Sequence, residues 1–274
     1  MPQTSHTAPF PTRRRVLLGL AAASVTGCAA REGGFAPLVA APEAARTTRI
    51  HAIVQRRPMP GQGGLPTRFG HDRSGASHLA SYEISVPAGH RIGQLELGDP
   101  ADPARHFALL RAQGHDRRAF LEALRRDGPP DADLTLFVHG YNNTHAEAVL
   151  RQAQTRTDFA FQGPVVLYSW ASLGSPFGYI YDRDSAGQAR DGLEAALRML
   201  TASQPRRVTL VAHSMGAWIA MEALRQIALA GRPLARALGG LALVSPDIDI
   251  DVFRQQAARI GALPQPTLVL VSQT

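Results

Sequence analysis

The chain contains no lysine; all 29 of its basic residues are arginine, which reads as a compositional bias rather than a function. Those arginines are scattered, so there is no basic stripe of the kind that tracks a nucleic-acid backbone, and nucleic acid is not an expected partner. A single cysteine excludes a disulfide framework and any multi-cysteine zinc site. Neither a metal nor an organic cofactor is expected. Aromatic residues make up only 6%, no Pro- or Gly-rich tract is long enough for a fibre, and no repeat of fixed period is present. No apolar run approaches the roughly 20 residues needed to span a bilayer, and no histidine follows His213. What is there is 274 residues, 45% hydrophobic and 19% charged, enough to bury a sizeable core.

The formal charge is +7, and three of those charges, Arg13, Arg14 and Arg15, precede a short apolar run from Val16 to Val25. A basic stretch before a short apolar core is the pattern of a signal peptide. The run closes on Val25-Thr26-Gly27-Cys28, which resembles the bacterial lipobox, and the paired arginines resemble a twin-arginine export signal. Residues 1–27 are therefore expected to be a signal peptide, with Cys28 lipidated. Residues 28–47, rich in Ala, Gly and Pro, read as a flexible tether. The expected location is the periplasmic face of the bacterial cell envelope, with membrane attachment through Cys28.

Residues 48–274 read as one domain. Short strands are expected at Arg49–Gln55 and Leu79–Val86, with a long loop over 56–77 and helices over 103–112 and 116–126. Leu134–Val138 is an apolar run of the kind buried on both faces. Thr144-His-Ala-Glu147 is a capping box that opens a helix to about Phe161. Val165–Tyr168 is a strand, and 185–200 is a helix. Val208–Ala212 is a strand followed by a helix from Met215 to Ala230. Leu241–Val244 and Thr267–Val271 complete the strands, with a helix over 252–260 between them. Alternating strands and helices of this kind predict an α/β fold, a mostly parallel sheet with helices on both faces.

One turn carries chemistry. Ala212-His213-Ser214-Met215-Gly216 sits where a strand gives way to a helix and is the G-x-S-x-G nucleophile elbow with Ala212 at its first small position. Small residues flank the serine because the strand and helix backbones pass close together there. The turn lifts Ser214 Oγ to the carboxyl edge of the sheet. The Met215 N–H lies at the helix start, where free N–H groups favour a developing oxyanion. The loop His139-Gly140-Tyr141-Asn142 follows an earlier strand and supplies a second donor, the N–H of Tyr141 or of Asn142. His139 and His213 are both read as structural.

The ordered motifs HGYNN, LYSW, SPFGYIYDRDSA, VAHSMG and SPDIDIDVF, preceded by SYEISVPAGHRIGQLE, resemble an uncharacterised bacterial family of α/β-hydrolases, esterase- or lipase-like and often exported. The resemblance covers about residues 48–271. It implies the α/β-hydrolase fold and a serine nucleophile, and nothing firm about substrate. That fold orders its triad Ser, acid, His, with the histidine in a loop after the last strand. Against that pattern a strand, a helix and the histidine loop are missing after Thr274, which implies a chain cut short or a degenerate copy. Asp247 is the first choice for the acid, with Asp249 and Asp251 as rivals; all three also suit the capping of the following helix. Asp182 and Asp184 read as helix-entry residues.

Two functions remain open at this point. One is a serine hydrolase that takes a small-molecule ester or acyl substrate through an acyl-enzyme at Ser214. The other is a non-catalytic, membrane-anchored binding lipoprotein on a degenerate hydrolase fold. Oligomeric state is unknown.

Overall fold

The computed structural model describes residues 46–60, 63–203, 206–231, 234 and 237–271. The signal segment, Cys28 and nearly all of the tether lie outside the described residues. Eight strands form one sheet in the order β3-β2-β1-β5-β4-β6-β7-β8. They are β1 (Thr47–Pro58), β2 (Phe69–Ser85), β3 (Leu109–His115), β4 (Leu134–Val138), β5 (Val165–Trp170), β6 (Val208–His213), β7 (Leu238–Val244) and β8 (Thr267–Leu270). The helices are α1 (Arg117–Arg126), α2 (His145–Asp158), α3 (Tyr179–Ser203), α4 (Met215–Leu229) and α5 (Ile250–Ile260). From β1 to β8 every neighbouring pair is parallel, while β1, β2 and β3 form an antiparallel meander. This is the expected α/β-hydrolase architecture.

The central strands explain the layering. Leu134, Leu136 and Val138 of β4 and Val208, Leu210 and Ala212 of β6 alternate onto one face, where they meet Leu193, Leu197 and Leu200 of α3 and Ile219 and Ala220 of α4. On the other face α2 packs Ala148, Val149 and Ala153 over Val165 and Leu167 of β5. Beyond α2 this second face opens into an apolar trough of about 710 Å³, lined by Phe137, Val211, Val244, Leu268 and Leu270, with His213 at its edge. Among the described residues no helix is long and apolar enough to cross a membrane.

Two sequence expectations fail in the first half. The helix expected over 103–112 is absent; Leu109–His115 is instead edge strand β3, whose residues pair with Leu79–Ile84 of β2. Leu, Ala and Arg there favour a helix locally, but the open edge of β2 supplies hydrogen-bond partners that outweigh a weak propensity. The long loop expected over 56–77 is largely a hairpin extension, in which Arg56 pairs with Arg73 and Pro58 with Phe69 across two register shifts. Pro60, Gly63, Gly64 and Pro66 lie in the connection between the two strands, and only Gly70 and Gly75 fall in the shifted part of β2. Helix α3 also begins earlier than expected, at Tyr179 rather than Ser185.

Candidate active site

Strand β6 runs between β4 and β7 and ends at His213, and α4 begins at Met215. The single residue between them, Ser214, has φ +53° and ψ −125°. A non-glycine residue in that region is strained and persists only where its surroundings over-determine it. Here the Ser214 N–H donates to Val244 O (3.0 Å) and its carbonyl accepts from Ala217 N (2.9 Å) and Asp247 N (3.2 Å). The backbone is pinned on both sides. Its Oγ has no hydrogen-bond partner among the described residues and makes no cap to α4.

The small residues of the elbow act as the sequence suggested. A Cβ on Gly216 would lie 2.5 Å from His139 O and 2.6 Å from Val138 O, so only glycine lets α4 start against the end of β4. Ala212 is fully buried.

The loop after β4 is held from beneath. His139 is buried and stacks on Trp170 at 5.1 Å, and Trp170 Nε1 donates to His139 O (2.8 Å). Arg56 Nη2 donates to His139 Nε2 (3.3 Å), which leaves Nδ1–H to donate to Gly140 O (2.8 Å). Burial, then the Arg56 charge, pushes the His139 pKa down to about 3. This imidazole is neutral, engaged at both nitrogens and structural, as expected. Gly140 O also accepts from Asn143 Nδ2 (3.2 Å). Because a trans peptide places its C=O and N–H on opposite sides, fixing Gly140 O inward turns the Tyr141 N–H outward.

That N–H and the Met215 N–H are both without a hydrogen-bond partner among the described residues. Val138 pairs with Ala212, and the two N–H groups each lie three residues beyond that pair. The alternative donor, Asn142 N–H, is directed at Asp182 Oδ2 (3.2 Å). The geometry therefore offers Tyr141 and Met215, not Asn142, as the pair of free donors beside Ser214.

Two residues organise these loops: Asp182, which the sequence placed correctly at a helix entry but as a cap, and Arg56, which the sequence reading did not single out. Asp182 is fully buried, and its carboxylate accepts from Leu173 N (2.7 Å), Ser172 Oγ (2.6 Å) and Asn142 N. It ties the loop after β5 to the loop after β4 rather than capping a helix. Arg56 is likewise fully buried and donates to Ser169 Oγ (3.1 Å), Ser172 O (2.9 Å) and Asn143 O (2.9 Å) as well as His139. Burial pushes its pKa down to about 9, so it stays cationic at neutral pH. In a chain so rich in arginine, nothing local marks Arg56.

Asp247 sits beside the elbow through its backbone bond to Ser214, and its Oδ2 accepts from Tyr179 OH (3.0 Å). Asp249 is the cap of α5, accepting from Asp251 N (2.9 Å) and Val252 N (3.2 Å), while Asp251 pairs with Arg254 on the surface. No described histidine is hydrogen-bonded to Ser214 or Asp247. His213 borders Gly140 and faces the apolar trough rather than Ser214. No group of three or more His, Cys, Asp or Glu able to hold a metal occurs among the described residues. The arrangement can present an alcohol nucleophile to a carbonyl whose oxygen faces two free N–H groups.

Residues 115–274 match the family described as an alpha/beta hydrolase of unknown function (DUF900). No curated protein matches the chain. Among solved structures it is similar to a peroxisomal alpha-beta-hydrolase, Lpx1, from Saccharomyces cerevisiae, at 13% identity and a TM-score of 0.27. That likeness covers 75% of this chain and 46% of the yeast chain, so the chain spans under half of that protein.

Proposed function

The chain belongs to the α/β-hydrolase family of unknown function DUF900, and from that premise we propose that it is a serine hydrolase of esterase or lipase type. Ser214 Oγ attacks the carbonyl carbon of an ester or related acyl group and forms an acyl-enzyme, its proton passing to a general base of imidazole or water type and from that base to the departing alcohol. The oxyanion lies between the Tyr141 and Met215 N–H groups, where fixed donors stabilise it without reorganisation. The alcohol departs with a proton, and water releases the acid. Asp247 is the proposed acid of the triad. The observation that carries this reading is the strained Ser214, pinned at φ +53° with a free Oγ beside two unpartnered N–H groups.

A second reading is favoured by one observation, that no described imidazole reaches Ser214 Oγ. In it the chain is a non-catalytic binding lipoprotein that keeps the hydrolase fold. In both readings the protein is exported under its twin-arginine signal and anchored in the cell envelope through Cys28.

Chemical rescue separates the two. The 274-residue chain is treated with a fluorophosphonate probe and with short-chain p-nitrophenyl esters, with and without added imidazole. Without a base, the oxyanion donors alone leave a residual rate about 10³–10⁴ over water. Labelling is expected to be slow, to map to Ser214 and to accelerate with imidazole in the wild type but not in Ser214→Ala. No labelling at Ser214 even with imidazole would overturn the hydrolase reading in favour of the binding lipoprotein.

A further inference from the structure

A second polar constellation lies toward the opposite end of the sheet from the elbow. His51 of β1 is level with Val166 of β5, near the start of that strand, whereas the elbow follows the strand ends. His51 Nδ1 lies 2.8 Å from Ser81 Oγ, and His51 Nε2 lies 3.1 Å from Asp127 Oδ2. Ser81 Oγ lies 2.8 Å from His115 Nε2. Arg156 grips Asp127 with two bonds, 2.8 and 3.1 Å, and holds it ionised.

Proton positions follow by elimination. Asp127 can only accept, so His51 Nε2 carries a proton. Burial lowers the His51 pKa, so the ring is neutral and Nδ1 accepts from the Ser81 hydroxyl. Ser81 Oγ must then accept from His115 Nε2–H. The chain of bonds runs in one direction, from His115 through Ser81 and His51 to Asp127.

The order Ser, His, Asp is that of a hydrolytic triad, but the setting is wrong for one. Ser81 is mid-strand, paired with His51 on one side and Gln113 on the other, so the ladders take up the backbone N–H groups around it. Among the described residues no free donor faces an oxyanion there. The network instead forms a rigid floor.

Above that floor is a cleft of about 290 Å³ between the β1–β3 meander and α1. Ligand clefts run from about 300 to 1,000 Å³, so this one is at the small end. On α1 its wall is Ala119 and Ala123, with Arg126 one turn on. On the sheet, Arg49, Glu83 and Arg111 stand in one cross-strand row. Glu83 lies between the two arginines, yet none of the three forms an ion pair within 4.0 Å among the described residues. Three guanidiniums and Glu83 line the cleft, and Arg126 also lies 3.9 Å from Glu122 on its own helix, which leaves a net charge of +1 around it. The negative end of α1 does not cancel it, because Arg206 binds the carbonyls of Leu124, Arg125 and Asp127 there from the other side.

We propose that this cleft binds a small, soluble phosphate-bearing molecule, its phosphoryl group held by Arg49, Arg111 and Arg126 over the Ser81–His115 floor. A guanidinium binds phosphate through two parallel N–H bonds. Arg49 and Arg111, both without an ion pair among the described residues, offer two forked donor sets, which suit the three oxygens of a phosphoryl group better than a single carboxylate. The room beyond a phosphoryl group suits a short polar remainder and not a nucleotide. This inference does not depend on Ser214.

Isothermal titration of the full chain at low ionic strength tests it, using inorganic phosphate, glycerol phosphate, acetate, and vesicles of phosphatidic acid in phosphatidylcholine. The expected result is saturable binding of both phosphates, glycerol phosphate the tighter, with acetate far weaker. Arg111→Ala and Arg49→Ala should each weaken binding about tenfold or more, as loss of a charged hydrogen bond does. Both side chains are exposed, so both variants should melt like the wild type. Arg118→Ala, also on α1 but outside the cleft, should bind unchanged, as should Ser214→Ala. The proposal is overturned by absence of saturable binding, by equal loss in Arg118→Ala, or by capture on vesicles without binding of the soluble phosphates.

Discussion

Gly140 and Ser214 are packed so closely that a Cβ on Gly140 would come within 3.0 Å of the Ser214 Cβ. The loop after β4 therefore meets the elbow backbone to side chain, which sets the Tyr141 N–H against Ser214.

Gly140→Ala should destabilise the fold by about 1 kcal/mol, because its new methyl meets Ser214 Cβ and the movable His213 ring. Gly216→Ala should be worse, about 3 kcal/mol, because its methyl would meet the fixed carbonyls of Val138 and His139. Thermal unfolding measures both. An equal loss in the two would contradict the close approach of α4 to β4.

Asp182→Asn should lower stability by about 2–3 kcal/mol, since one of its buried acceptor oxygens becomes a donor facing donors. It should also slow labelling of Ser214 by releasing the loop that bears Tyr141. Arg56→Met acts on the same Ser172, so the double variant should lose less than the two singles together. Strict additivity in denaturant unfolding would separate the two residues.

Ile219 is fully buried in α4, and Ile219→Asp should prevent folding, since an unpaired buried carboxylate costs several kcal/mol. Thr144 accepts from Glu147 N (3.2 Å) in the capping box of α2, and Thr144→Ala should cost only about 1 kcal/mol. Circular dichroism at 25 °C distinguishes a lost fold from a lowered melting point.

His90 clamps the loop before β3 to α2, 2.9 Å from Glu96 and 2.6 Å from Asp158. Burial opposes its charge, but the two carboxylates outweigh burial and raise its pKa. A raised folded pKa stabilises fully below the unfolded value near 6.5 and is lost as pH climbs through the folded value. Glu96 and Asp158 are lowered despite burial, through His90 and backbone N–H groups, and their share is lost as pH falls below about 4. The gap in melting temperature between wild type and His90→Ala should therefore be widest between about pH 4.5 and 6.5. A gap that grows from pH 7 to 9 would sink the clamp.

On the proposed lipid anchor, Cys28→Ser should move the protein out of the detergent phase, since without the Cys28 thiol no acyl chains can be attached there to hold it at a membrane. Unchanged partitioning of the variant would remove the proposed anchor.

The elbow was legible because everything it needs is local. Ala212, Ser214 and Gly216 lie within five residues at the junction of a β-rich run and a helix. The Thr144–Glu147 capping box is equally local, as is the alternation of strands and helices. Arg56 and Asp182 were not legible, because their partners lie far off in sequence, such as Ser172 for Arg56 and Asn142 for Asp182. The stretch over 103–112 misled for a related reason. Its composition suits a helix, and only the unpaired edge of β2 makes it a strand.

By itself, then, the sequence determined the α/β architecture, the elbow at Ser214 and the glycines that let backbones meet, since periodicity and steric need act over a few residues. Tertiary structure alone decided which N–H groups stay free beside Ser214 and which buried ions hold their loops. It also gathered Arg49, Ser81, Arg111 and Arg126 around one cleft. A buried polar group must find a partner wherever the fold brings one, and that pairing is fixed only when the whole chain has closed.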